Sequence, residues 1–455
     1  MIKKRFTASL GIFICLSGFS VFCLVAGDAS GGGEAAIYWP QWRGPSMTGV
    51  APEAEPPMKW SETENLRWKV RIPGEGTATP IVWGERVFIL TAIKSGKASE
   101  AAAPTPAQPP AGGPPSVKPS GEPCEFKVLC LARKDGNVLW ERLAKEEVPH
   151  EGHHPDHGFA SASPVTDGKV VLAYFGSRGL HCFDMEGNPK WSKDFGRMQT
   201  KNSFGEGASP ALWGDTVVIV RDDETDNDFI TALDKNTGKE LWRTPRKEAT
   251  GWSTPLVVEY EGKAQAVVNA TGNVRSYSMI NGEELWRCAG QTANAIPTPV
   301  ASKDTVYVTS GFRGNALYAI ALGRTGDLTG TDAVRWSRNK STPYVPSPSL
   351  VNGRIYVLTG NNATLSCFDA SSGEPNFEGE KLEGLSGVYA SPVAAGDRVY
   401  VLGRNGVCTV LKEGTKLEVL ATNKLDDKTD GTPALVGKDI FIRGHRSLYC
   451  ISGGK

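Results

Sequence analysis

Neither sign of charge prevails in this 455-residue sequence: Lys plus Arg and Asp plus Glu stand at 50 each. No bulk field is available to draw in nucleic acid or an anionic membrane. Beyond residue 26 no run is apolar and long enough to span a bilayer. Helical periodicity is nowhere sustained, which excludes a helical bundle. "GRTGDLTG" at 323–330 is not a phosphate loop, since no G-x-x-x-x-G-K-[ST] exists. No G-x-S-x-G nucleophile elbow is present either. The acidic "DDETDND" at 222–228 lacks the Gly-at-six, Glu-at-twelve pattern of a calcium loop. What the chain has in quantity is Gly (52) and Pro (30), the residues of tight turns between short strands.

The N-terminus has a basic start at Lys3 to Arg5, an apolar run to about Ala26, and small residues suited to cleavage after Gly27. It reads as a secretory signal peptide over 1–27, with an uncleaved membrane anchor as the rival. Lipid attachment at Cys23 is disfavoured because Phe22 stands where that signal wants a small residue. Export places the protein in the periplasm or at the cell surface, where disulfides persist. Seven cysteines remain after the signal, an odd number. Residues 28–58 form an N-terminal extension ahead of a propeller at 59–455.

A small residue followed by proline recurs along the chain. It appears at Pro80, Pro164, Pro210, Pro255, Pro299, Pro348, Pro392 and Pro433, with steps of 41 to 49 residues from Pro164 onward. The first step is longer because it contains an Ala/Pro/Gly-rich segment, 95–123, expected to be a disordered insertion. Each unit then offers a short strand, a turn such as "TDG" or "AGD", a β-branched strand such as "VVLAYF", a third strand such as "FITALD", and a fourth ending in Trp, as in "GKELWR". Four short strands per unit is the pattern of a propeller blade. Eight prolines predict an all-β, eight-bladed propeller. The last unit has three strands, and "ENLRWKV" at 64–70 resembles the missing fourth, so the N-terminal strand should close the ring and remove the open edge.

"ALDKNTGKELW" at 232–242 resembles the tryptophan-docking motif of pyrroloquinoline quinone (PQQ) dehydrogenase-type propellers. Ala232, Asp234, Thr237, Gly238 and Trp242 all match. Weaker copies put Trp140, Trp191, Trp286 and Trp336 in register, with Trp68 in the closing strand and Phe377 substituting in the sixth blade. The whole chain, including "WPQWRGP" near its start, resembles exported bacterial PQQ-like repeat proteins, the quinoprotein alcohol dehydrogenase-like class. The resemblance implies that each indole wedges between neighbouring blades. Ten residues before Trp242, Trp140 and Trp286 stand Ala232, Cys130 and Ser276, and equivalent positions hold Cys182, Ala319, Cys367, Cys408 and Cys450. Cysteine sharing a position with Ala and Ser is a small core residue rather than half of a disulfide. Cys124 and Cys288 fall outside this register.

Propeller topology sends the links between blades, and the turns between second and third strands, to one face. On that face the links carry His153, His154, His157, Glu206, Trp252, Asn294, Tyr344 and Tyr389, and the turns carry Arg178, Arg313, Arg404 and Arg443. Guanidinium groups with aromatic walls suit a planar or carboxylate-bearing ligand, or a partner protein; the alternative is that these arginines simply bind neighbouring loops. "PHEGHHPDHG" at 149–158 lies on the same face. Three readings stand open for it: a zinc or copper site using His153 and His157, a polar pocket wall, or a solvated loop.

Two functions follow. The first is an exported, non-enzymatic propeller that binds a ligand or protein through its loop-rich face, similar in repeat design to the outer-membrane barrel-assembly propeller lipoproteins. The second is a PQQ-dependent dehydrogenase of alcohols or sugars, which the resemblance implies would need Ca2+ held by Glu and Asn, with Glu206 and Asn294 as candidates. The adjacent cysteine pair of the alcohol-oxidising members is missing, which favours the first. The expected state is a monomer, without a nucleic-acid partner, touching membrane only through an uncleaved N-terminal anchor.

Overall fold

A computed structural model describes residues 33–96 and 116–453. The proposed signal peptide and most of the Ala/Pro-rich insertion lie outside the described residues. The end of that insertion, 116–123, has no regular secondary structure. It is tied down nonetheless by Val117, whose N–H donates to Asn202 O at 3.0 Å.

The chain forms eight sheets arranged as an eight-bladed propeller. Blade 1 comprises Ile81–Trp83, Arg86–Lys94, Cys124–Ala132 and Val138–Glu147. Blades 2 to 7 repeat this order outward from the axis. Blade 8 takes three strands from the C-terminus and its fourth from Leu66–Arg71. There Trp68 lies opposite Cys450, so the closure read from the sequence is the closure in the structure. The second and third strands are almost wholly buried, while fourth strands such as Glu240–Pro245 alternate between buried and exposed residues, as an outer edge with one wet face must.

At six of the eight seams the small residue before the proline links one blade to the next. The N–H of Thr79 donates to Ser163 Oγ, that of Ser163 to Ser209, of Ser209 to Thr254, of Thr298 to Ser347, of Ser347 to Ser391 and of Ser391 to Thr432, all at 2.9–3.0 Å. Proline holds the preceding residue extended and has no N–H of its own to satisfy. The step thus supplies one donor and one hydroxyl acceptor per blade at the crowded inner edge.

Tryptophan makes the outer connection. The indole N–H of Trp68 donates to Arg133 O, Trp140 to Met185 O, Trp191 to Lys235 O, Trp242 to Met279 O and Trp336 to Ala370 O, at 2.9–3.1 Å, each reaching the next blade. Beneath each ring lies the glycine of a turn. A Cβ built on Gly238 would stand 2.6 Å from the Trp191 ring, and the backbone there has φ +70°. Asp234 shapes the turn by accepting from the N–H of Asn236 and Thr237 and from the Thr237 hydroxyl. Trp286 differs: its N–H goes to Gln265 Oε1 within its own blade. The following turn is replaced by a longer segment whose Gly326–Asp327 pairs in parallel with the Trp286 strand.

Residues facing these rings are small for the same reason. Cys130, Cys182, Ala232, Ser276, Ala319, Cys367 and Cys450 lie directly opposite Trp140, Trp191, Trp242, Trp286, Trp336, Phe377 and Trp68. Cys408 does not belong with them. In blade 7 the pair preceding the bulge is Val410 and Ala421, and Cys408 lies two residues earlier, opposite Asn423. The sequence misled because this blade has no Trp to count back from. All seven cysteines in the described residues are buried thiols. Cys124 begins the third strand of blade 1 and Cys288 lies on the fourth strand of blade 4.

The N-terminal extension fills the channel. Trp39 and Arg43 are both fully buried. Trp39 bridges Val82 of blade 1, Pro40 O accepts from Thr166 of blade 2, and Gln41 Oε1 accepts from Leu212 of blade 3. Arg43 donates to Pro392 O, Pro348 O and Ser349 Oγ in blades 6 and 7. Burial pushes its pKa down to about 9, still charged at neutral pH. Val50–Ala51 then adds a short parallel strand to the inner edge of blade 7.

The indole-over-glycine contact predicts a graded result. Gly238→Ala combines about 1–2 kcal/mol for a left-handed alanine with about 1–3 kcal/mol of overpacking. Gly353→Ala, at φ +75° with nothing within 4 Å of the added methyl, should cost only the first amount. Denaturant titration of both variants measures the difference.

Candidate functional site

All eight blade-to-blade links converge on one cavity of about 250 Å³ on the propeller axis. The N–H···hydroxyl ring supplies its lower wall through Ser209, Thr254, Thr298, Ser347 and Thr432. Trp42 of the N-terminal plug lines the same cavity and donates from Nε1 to Thr298 Oγ1 at 2.9 Å. The cavity is therefore a well facing the loop-rich side, floored by the plug, rather than a through channel.

Above the hydroxyls the wall is aromatic. His154, His157, Phe204, Trp252, Tyr344 and Tyr389 all line it. His154 packs edge-on to Phe204 at 5.0 Å between ring centres. The Trp252 indole donates to Gly205 O at 2.7 Å. Tyr344 stacks on Phe312 at 4.8 Å, just below the exposed Arg313. His157 Nδ1 lies 2.7 Å from the Ser161 hydroxyl, which itself donates to Gly158 O. Burial pushes the His157 pKa down to about 4, so the ring is neutral at physiological pH.

One side of the mouth is latched across the axis. Asp156, on the His-rich link between blades 1 and 2, accepts from Tyr389 Oη at 3.0 Å and from Arg404 Nη2 at 2.7 Å. Arg404 also pairs with Asp430 at 2.7 Å and lies 4.0 Å over the Tyr389 ring. His445 completes the group at 2.8 Å from Asp430. The Arg404 hydrogen bond holds the Asp156 carboxyl below its usual range. Burial works against Asp430, but His445 and Arg404 together keep it low as well.

The sequence-nominated residues therefore divide. His154, His157, Trp252, Tyr344 and Tyr389 gather at the cavity, with Arg404 one shell behind and Arg313 exposed at the rim. Arg178 is nearly buried. It lies over Phe126 and Phe159, pairs with Glu147 and Glu206 at 3.2 and 3.3 Å, and so faces a second, smaller cavity. Glu206 lines that cavity too, away from the axis. Asn294 is buried, with Oδ1 accepting from Lys201 Nζ at 3.1 Å. Arg443 is buried in the fold, where desolvation lowers its pKa to about 10. His153 turns away to Glu75 at 3.4 Å and packs on Phe159. His153 and His157 thus have separate partners, and no third ligand joins them among the described residues. Arg178 and Arg404 both pair with carboxylates of neighbouring segments. Sequence reasoning missed Trp42 and Asp430. "WPQWRGP" was conspicuous, but nothing local says that it enters the channel.

Glu206 pairs with Arg178 and Asn294 accepts from Lys201, so each already has a cationic partner. Arg404, the guanidinium nearest the axial cavity, is consumed by two aspartates.

A family profile described as outer membrane protein assembly factor BamB matches residues 125–378, more than half of the chain. The chain is 23% identical over 295 residues to the outer membrane protein assembly factor BamB of Shewanella oneidensis, covering 62% of this chain and just under two thirds (66%) of that relative. Its fold is similar to that of BamB from Moraxella catarrhalis, with a TM-score of 0.54, 13% identity, and coverage of 85% of this chain and 99% of the other. It is also similar to quinohemoprotein alcohol dehydrogenase from Comamonas testosteroni, with a TM-score of 0.61, 11% identity, and coverage of 95% and 83%. At such identities the structural likenesses establish the fold alone.

The Asp156 latch predicts an acid response. A depressed carboxyl contributes stability that is present above its unfolded value, 3.8, and is lost as pH falls through the lower folded value. Hydrogen exchange in 149–158 should accelerate below about pH 4. Asp156→Asn should show that faster exchange already at pH 7, at a cost to global stability of about 1 kcal/mol or less.

Proposed function

The chain belongs to the family described as outer membrane protein assembly factor BamB, and from that premise we propose that it is an exported, non-catalytic propeller that binds a segment of a partner protein at the mouth of its axial well. The observation that carries this reading is the convergence of all eight links on one aromatic-walled cavity, closed beneath by Trp42. Its volume, about 250 Å³, lies below the range of roughly 300–1,000 Å³ that whole small-molecule ligands occupy. It suits one or two large apolar side chains entering from a partner, the anchor arrangement of protein interfaces. Tyr and Trp on the wall offer broad contact area at low entropic cost. Polar partners on the wall are largely satisfied by one another, which supports a recognition surface over a reactive centre. The relatives' names refer to assembly of outer membrane proteins; for this chain the proposal takes the broader role, protein binding, on the exported side of the membrane.

Photocrosslinking tests this. A photoreactive residue at Arg313, on the loop face, should yield a protein adduct in cells that produce the chain. The same residue at Ile280, which is 86% exposed on the opposite face, should not. Trp252→Ala combined with Tyr389→Ala should reduce the Arg313 adduct about tenfold, the loss of roughly 1.4 kcal/mol or more expected for aromatic anchors. Adducts confined to Ile280 would contradict the proposal. So would stabilisation by PQQ and Ca2+ accompanied by dye reduction with alcohols or sugars.

A further inference from the structure

Beside the axial well, the first two links bring together three side chains that the protein-binding role does not use. Atoms of His150, Glu151 and Glu206 capable of ligating a metal all lie within 4.8 Å of one another. We propose that they form a binding site for one divalent transition-metal ion, zinc or a near neighbour in ligand preference.

The geometry of His150 is the first support. Its Nε2 lies 2.5 Å from Met198 O and so carries the proton, leaving Nδ1 with a buried lone pair and no partner among the described residues. Imidazole ligands of metals are oriented in this way, the distal N–H held by a backbone carbonyl. The second support is Glu206. Its side chain is only 10% exposed, its Oε1 reaches Arg178 at 3.3 Å, and its Oε2 has no hydrogen-bond partner among the described residues. Glu151 is oriented by Thr200, which donates from N to one carboxylate oxygen and from Oγ1 to the other at 3.0 and 2.7 Å.

Space is consistent with this. Arg178, Arg197 and Arg221 act electrostatically on the cluster, and Glu147, Glu151 and Glu206 match them in number. The small cavity next to it, about 20 Å³ and lined by Glu206, Thr200, Arg178 and Met198, has room for about one water. One imidazole, two carboxylates and a water make a tetrahedral set suited to zinc and, with more waters, to manganese or iron. The ligands come from two consecutive links, so a bound ion would pin the His-rich link to the one carrying Phe204, both of which wall the axial well.

Isothermal titration of the metal-free protein with zinc chloride tests the site. One equivalent should bind, with His150→Gln and Glu206→Gln each weakening it at least tenfold and the double variant His153→Gln/His154→Gln leaving it unchanged. X-ray absorption of the zinc-loaded protein should show one imidazole among oxygen ligands, a readout that does not depend on any variant folding. Absence of binding, binding insensitive to His150→Gln and Glu206→Gln, binding lost in the His153/His154 variant, or a shell of several imidazoles would each overturn the assignment.

Discussion

The contact on which the rest of this structure depends is the hydrogen bond from one blade's backbone N–H to the hydroxyl that precedes proline in the next. It is made at the inner edge, where eight strands converge and side chains larger than Ser or Thr would collide. Each bond is worth only about 1 kcal/mol. Repeated around the axis, however, they set the spacing of the innermost strands and so the width of the channel. The Trp-over-glycine contacts do the corresponding work at the outer radius, where space is plentiful and a large ring is needed to bridge it. Small hydroxyls inside and indoles outside give each blade its wedge shape.

A ring assembled in this way leaves a hole, and the N-terminal extension fills it. Trp42 takes up the Thr298 hydroxyl, and Arg43 spends its guanidinium on backbone carbonyls of blades 6 and 7. A buried cation is tolerable there because carbonyl oxygens replace its water. The consequence for function is directional. One face is sealed by the plug, and the other opens into a well whose walls are free to vary because they are links rather than strands.

Charge placement on that open face follows from the same crowding. Of the four arginines in the turns between second and third strands, two stand between acidic residues and are neutralised there. Arg404 between Asp156 and Asp430, and Arg178 between Glu147 and Glu206, act as struts. The surface left on that face is accordingly aromatic and hydroxylic, with Arg313 exposed at its rim.

The blade count, the closure of blade 8 by residues 66–71, and the small residues opposite each tryptophan were determined by the sequence alone. Every blade packs mainly against its two neighbours, so its requirements repeat at a fixed interval and become visible as Pro, Gly and Trp in register. Where the repeat lapses, as at Cys408 in the blade without a Trp, that legibility lapses with it. The face on which the link residues gather was likewise readable, since topology alone assigns links to one face. Only the tertiary structure decided which link residues meet. Trp42 reaches Thr298 across 256 positions, and Asp156 reaches Arg404 across 248. Neither contact has a local pattern, because both depend on where the closed ring brings unrelated links together around its axis.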